Sequence, residues 1–244
     1  MKRWILYIIF ALVVLALWQY SGSTNQTARL LLSSPSLVVG YFAENYADLL
    51  VATRTTLIEA VAGLLIAMIF SFSVMILCFY RPAIMDFVLP LMITSQVIPL
   101  IVLAPFFIIL LGIGIASKIA MAAIISFFPI FVNFAHGYKD ISSNIHELVY
   151  IYDAPLHTRI ISVYFPLSAG SIIAGLKVSA TLSVIGAIVA EFTGAEVGLG
   201  RNLFLSAVRL EPEMMMSSLL LSAACGGLLF GSIILLERRF VRWN

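Results

Sequence analysis

The chain has 244 residues, of which 62% are hydrophobic and 11% charged, with a formal net charge of +2. Soluble domains are roughly 45–50% apolar and about 25% charged, so so few charges cannot cover a water-facing globule. Composition therefore disfavours a soluble enzyme, a disordered chain, a collagen and a nucleic-acid binder. It favours a membrane protein with several spans, each needing roughly 20 apolar residues.

Six apolar stretches follow one another at 4–20, 57–80, 87–111, 119–135, 169–190 and 214–236. In lipid a backbone must satisfy its own hydrogen bonds, so each is predicted to be a helix. The first follows Lys2 and Arg3 like a signal peptide. Its apolar run is long, and residues 19–23 offer no small-x-small cleavage site, so it is read as a retained anchor. Residues 36–51 are too polar to span. Ser36 is placed to cap a helix after Pro35, and Leu37, Val38, Tyr41, Leu49 and Leu50 give it a partial apolar face, as for a helix lying on the membrane surface.

The third span carries Pro90, Pro99 and Pro105, each of which removes a helix hydrogen bond and bends the axis. Ser95 and Gln96 near its middle are polar enough to meet a solute. With the N-terminus inside, Lys2, Arg3, Arg81, Lys139, Arg159, Arg238, Arg239 and Arg242 lie on the inner side. Arg29, Arg54, Lys118, Arg201 and Arg209 lie outside. That bias, with the Arg238–Arg239 pair at the end of the last span, places both termini in the cytoplasm. Cys78 and Cys225 lie in apolar runs and read as small buried hydrophobes.

The longest polar stretch on the inner side is 137–166. Ser143 and Asn144 are helix starters, and Ile145, Leu148, Val149 and Tyr152 recur at i, i+3, i+4, i+7 along one face of a short helix. Pro155 disfavours helical geometry at Ala154, so the helix should stop near Asp153, a residue type that tolerates a left-handed turn. A second helical piece then runs over 156–164 to Pro166. Such a helix suits either lipid headgroups or a partner's groove; Glu147 and Asp153 offset Lys139 and Arg159, so charge does not favour lipid.

This loop resembles the inner loop of the integral membrane permeases of bacterial binding-protein-dependent ABC importers. Their pattern is E-A-A, three residues, G, nine residues, I-x-L-P. Here Glu147-Leu148-Val149 stands at E-A-A, Asp153 at G, and Val163-Tyr164-Phe165-Pro166 at I-x-L-P. The Glu, the final Pro and the spacing match; both alanines, the glycine, the isoleucine and the leucine do not. Ser34-Pro35-Ser36, Leu111-Gly112-Ile113-Gly114 with Ser117-Lys118, Ala174-Gly175-Leu176-Lys177, and Ala190-Glu191 with Gly198-Leu199-Gly200 are similar to further family motifs, in the same order. The likeness covers 34–244, and the group importing sulfonates, taurine, nitrate and thiamine-precursor pyrimidines is the most similar.

The resemblance implies an all-α type I importer permease with six transmembrane helices and a cytoplasmic coupling helix. It divides the chain into an N-terminal anchor, 1–33, and a permease domain, 34–244. It implies a second copy of the chain, two cytoplasmic ATPase subunits and a periplasmic or lipid-anchored binding protein, working by alternating access in the bacterial inner membrane. No G-x-x-x-x-G-K-[ST] loop occurs, so ATP and Mg belong on a separate chain; this chain is read as a transport subunit without cofactor or catalytic residues. The coupling contact would comprise Ile145, Glu147, Leu148, Val149, Tyr152, Asp153, Ala154 and Pro155. Two bulky residues at E-A-A would require a wider groove on the ATPase.

Other positions carry expectations of their own. Ser171, Gly175, Ser179, Ser183 and Ala187 form a small-residue stripe every four residues, which lets helices approach closely; the partner helix belongs either to this chain or to its twin. Lys177 lies opposite the stripe with Ile173 and Thr181, either facing the passage, where it would attract an anion, or snorkelling to the inner surface. The passage set is Ser95, Gln96, Pro99, Lys177, Thr181 and Glu191. Glu59 and Glu191 are read as carboxylates near the outer interface. Gly194, Gly198 and Gly200 read as a flexible connection, and His136, His146 and His157 as ordinary polar-loop residues. The favoured cargo is an anionic sulfonate, taurine or nitrate, then a thiamine-precursor pyrimidine. An ion-coupled secondary transporter is the alternative from another class.

Overall fold

The computed structural model describes residues 2–24 and 33–240, and every regular element in it is helical. In chain order these are α1 (Lys2–Thr24), α2 (Pro35–Glu44), α3 (Tyr46–Tyr80), α4 (Pro82–Ser95), α5 (Leu100–Leu111), α6 (Ile115–Lys139), α7 (Ser143–Ile151), α8 (Leu156–Gly194), α9 (Leu199–Arg209) and α10 (Pro212–Phe240). Arg29 and Arg242 of the charge balance lie outside the described residues. Four helices, α3, α6, α8 and α10, are long and apolar enough to cross a membrane.

The predicted third span is not one helix. α4 stops at Ser95 and α5 begins at Leu100, with Pro99 at the helix-starting position. Proline has no N–H and keeps Ile98 before it out of helical geometry. Pro90 and Pro105 sit inside α4 and α5 without breaking them. Met85 of α4 packs in the core cluster that holds Val149, while Ala104 of α5 packs with Met121 and Ala190. The two pieces thus run from the α7 end of the molecule toward the α9 end.

Two boundaries also move. The polar segment after Pro35 ends at Asn45, whose side chain donates to Tyr41 O at 3.1 Å. Residues from Tyr46 onward join α3, which reaches 35 residues. Ser34, not Ser36, occupies the cap position of α2, ahead of Pro35. The short helix expected at 156–164 merges into the fifth span, because Arg159–Tyr164 is π-helical and continues into Phe165–Gly194. The Phe165 N–H reaches back to Ile160 O. That wider turn lets Pro166, which lacks a donor, follow without a break.

The core is the packing of α6 against α8. The small-residue stripe faces α6 of the same chain: Ser179 Oγ donates to Ser126 O at 2.7 Å, and Ser126 Oγ returns to Ser179 O at 3.2 Å. A Cβ on Gly175 would lie 2.7 Å from Pro129 O, so glycine is required by that approach. Within the chain, α6 is therefore a packing partner of the stripe. Cys78 and Cys225 are free and buried.

Candidate functional site

α7 is held by an aromatic cluster. His146 lies edge-on to Tyr138 of α6, with centroids 5.3 Å apart, and its Nδ1 is 3.4 Å from Tyr164 Oη. Tyr164 stacks on Phe79 of α3 at 5.5 Å. Val149 is 5% exposed in this cluster, with Ile145 packed against it. The predicted apolar ridge therefore divides. Ile145 and Val149 anchor the helix to its own spans, so they are corrected from partner contacts to anchors, and His146 is a wedge rather than an ordinary loop residue. Leu148, Ile151 and Tyr152 remain 57%, 78% and 76% exposed on the other side, joined by exposed Glu147. Ile151 and exposed Tyr150 were not anticipated.

The turn after α7 is built as the sequence suggests. Asp153 has φ 43°, the left-handed conformation, and Pro155 caps the next helical turn. Arg159 braces it, donating to Ala154 O and pairing with Asp153 at 3.7 Å. Exposed pairs contribute little energy, so the geometry of the turn rests on Asp153 and Pro155.

At the opposite end, Glu191 is 1% exposed and joins three helices. Its Oε1 accepts from Thr56 Oγ1 of α3 at 2.6 Å, and its Oε2 from Gly200 N of α9 at 2.6 Å. Thr56 Oγ1 in turn accepts from Leu199 N at 3.0 Å. A carboxylate and a hydroxyl thus satisfy two N-terminal amides of α9, where negative charge is favoured. Gly198 has φ 145°, and a Cβ there would lie 2.3 Å from the Glu191 carboxylate. Gly198 and Gly200 tighten this connection instead of loosening it. Glu191 is no rim carboxylate here, and neither is Glu59, which is 2% exposed.

Lys118, counted above as an outer-loop charge, is 4% exposed. Its Nζ donates to Ile113 O and Gly114 O, the turn that joins α5 to α6. A separate cavity of about 610 Å³ is lined by Tyr41, Asp48, Glu196, Asn202, Arg209 and Glu211. Burial, then the Glu211 and Asp48 carboxylates, push the Tyr41 phenol above its ordinary range. Lys177 Nζ is 2.7 Å from Glu237 Oε2 of α10. Ser95, Gln96 and Pro99 lie exposed at the α4–α5 break. Thr181 Oγ1 donates to Val178 O of its own helix at 2.8 Å.

Residues 61–243 match the family described as the binding-protein-dependent transport system inner membrane component. The formylaminopyrimidine transport permease of Halalkalibacterium halodurans is 31% identical over 192 residues, covering 79% of this chain and 77% of that protein. A Bacillus subtilis protein provisionally named as an aliphatic sulfonates transport permease is 23% identical, covering 99% and 88%. The riboflavin transport system permease of Chloroflexus aurantiacus is 28% identical, covering 96% and 88%.

Proposed function

We propose how this chain works from the fact that it belongs to the family of inner membrane components of binding-protein-dependent transport systems. It is a permease subunit of an ABC importer, embedded in the inner membrane, and it serves transport without being an enzyme. Our reading is that two copies form the passage, with both chain termini and α7 on the cytoplasmic side. α7 seats Leu148, Ile151 and Tyr152 in a groove of an ATPase subunit that supplies the ATP and Mg. Glu147 sets the register, and the Asp153–Ala154–Pro155 turn fixes the angle of the helix. Closing of the ATPase pair pushes α7 and opens the passage outward; hydrolysis relaxes it inward.

The observation that carries this reading is the pair of faces on α7. One side is packed into the cluster of Phe79, Tyr138 and Tyr164. The other leaves three large apolar side chains exposed at i, i+3, i+4, the spacing of helix-in-groove anchors. Leu148 stands on the exposed side where the family pattern has alanine, so the groove of its own ATPase must be wide. An ATPase from a relative with ordinary E-A-A should couple poorly to this permease.

The α4–α5 break supports a place for the passage. Non-helical backbone within a span is tolerated only where protein covers it or water reaches it, and interrupted helices commonly form transport sites. Counting α4 and α5 as one interrupted crossing gives six crossings. Ser95, Gln96 and Pro99 then line the route. Lys177 pairs with Glu237, so its charge adds no support to an anionic cargo; the cargo is read as a sulfonate, taurine or nitrate type of anion, with a thiamine-precursor pyrimidine as the alternative.

The test is uptake into proteoliposomes holding this permease, its ATPase and its binding protein. Leu148→Asp with Ile151→Asp should lower ATP-dependent uptake more than tenfold while the permease stays folded. Uptake that an ion gradient drives without nucleotide would establish the secondary transporter instead.

A further inference from the structure

Two carboxyl groups are buried side by side at the α9 end of the molecule. Glu59 of α3 is 2% exposed, and Glu191 of α8 is 1% exposed. Thr56 lies one turn before Glu59 on the same face of α3. It donates to Glu191 Oε1 at 2.6 Å, which sets Glu59 against that carboxyl too. The two glutamate side chains lie within hydrogen-bonding reach of each other. Glu59 Oε2 is buried and meets no donor.

The bonding decides which of the two is the acid. Glu191 accepts from the Thr56 hydroxyl and from the Gly200 amide, each at 2.6 Å, at a helix N-terminus that favours negative charge. Glu191 is therefore the carboxylate. Glu59 receives no such donor, so it holds the proton and gives it to Glu191. Two bare carboxylates this close and shielded from water would repel strongly, and burying a neutral acid costs far less than burying an anion.

The groups facing the pair come from three further places. Lys118 of α6 is the cation within range, but its Nζ is held by Ile113 O and Gly114 O. Glu196, on the connection to α9, adds a negative charge where Glu59 and Lys118 line a small cavity. Cys225 of α10 sits near Glu191 as a buried thiol.

We propose that Glu59 and Glu191 form a one-proton latch, in which the shared proton holds α3 to α8 and so seats α9 on the bundle. When water or hydroxide takes that proton, two anions face each other with nothing to solvate them. α3 and α8 must then part and admit water, and the Thr56 and Gly200 bonds that cap α9 go with them. The latch is a property of the fold and does not rest on the importer reading. Within that reading it makes the seat of α9 sensitive to pH.

The test compares wild type with Glu59→Gln, each with its ATPase subunits in nanodiscs. The glutamine amide still donates to Glu191 but has no proton to lose. A folded state that holds one proton more than the unfolded state loses stability as pH rises, by up to about tenfold in the folded-to-unfolded ratio per pH unit. The wild-type melt should therefore fall from neutral into alkaline pH relative to the variant, whose other titrating groups are the same. Maleimide labelling of Cys225, read by mass spectrometry, reports the opening locally, since Cys225 packs with Leu199 of α9 and Ala52 of α3. Its rate should climb with pH up to about tenfold per unit more steeply in wild type. Should Glu59→Gln fail to fold, infrared spectra of wild type carrying isotope-labelled glutamate decide the matter. They should show the C=O stretch of one protonated carboxyl per chain at neutral pH, lost at alkaline pH, because every glutamate outside the pair is half-buried or exposed. Parallel pH profiles of melt and labelling in the two proteins, or no such band in wild type at neutral pH, overturn the latch.

Discussion

Glu191 shows how much one buried carboxylate can organise. Removing it by Glu191→Ala strands the Gly200 amide, which costs about 1–3 kcal/mol when unpaired, while the Thr56 hydroxyl keeps Ala52 O at 3.1 Å. The detergent-solubilised permease should melt several degrees lower, and a melting curve checks this. Gly198→Ala should move the same way, since its Cβ meets that carboxylate at a backbone angle that side chains avoid. Gly40→Ala, with nothing within 4 Å of the new atom, should leave the melt unchanged or slightly higher. The paired motifs Ala190-Glu191 and Gly198-Leu199-Gly200 were visible in the sequence, but their reason was not. Glycines in a connection read as looseness, and only the position of Glu191 against the backbone shows that they permit close approach. Thr56 gave no local signal, because Glu191 and Leu199 are distant in the chain; Lys118 stood in a recognisable motif, but its hold on the carbonyls of the turn did not show there.

α7 carries its meaning in which way each side chain points. Periodicity marks Ile145, Leu148, Val149 and Tyr152 as one ridge. At 3.6 residues per turn, the 145/149 row and the 148/152 row lie roughly 60° apart. That is close enough to read as one face, and far enough for the protein to use one row as an anchor and expose the other. The two rows should respond differently to charge. Val149→Asp buries a carboxylate among Phe79, Phe134 and Tyr164 and should cost at least about 3 kcal/mol, seen as loss of folded permease on size-exclusion. Leu148→Asp should leave the melt within about 0.5 kcal/mol of wild type and instead lower ATPase stimulation by loaded binding protein. The stop at Pro155 and the left-handed Asp153 were both legible, because proline and φ preferences act locally. The continuation of Arg159–Tyr164 into the fifth span was not, since a π turn has no compositional mark.

For the molecule as a whole, the apolar stretches were legible because lipid leaves a backbone little choice but helix. The gap at 96–99 was only half legible: three prolines announced bending, and spacing alone cannot say which of them breaks the axis. The Lys177–Glu237 pair ties α8 to α10 across 60 positions of sequence, and nothing local links the two residues. Both ends are about a quarter to a third exposed, so a double-mutant cycle should give a coupling near 1 kcal/mol. Lys177→Glu alone and Glu237→Lys alone should each lower the melt, and the doubly reversed chain should recover most of it. One mechanical result follows from the ring wedge of His146 between Tyr138 and Tyr164. The short helix cannot roll about its own axis without dragging the ends of α3, α6 and α8. In the proposed coupling, a stroke delivered at Leu148 and Ile151 would arrive as torque on three crossings together, as through a crank pinned to its shaft.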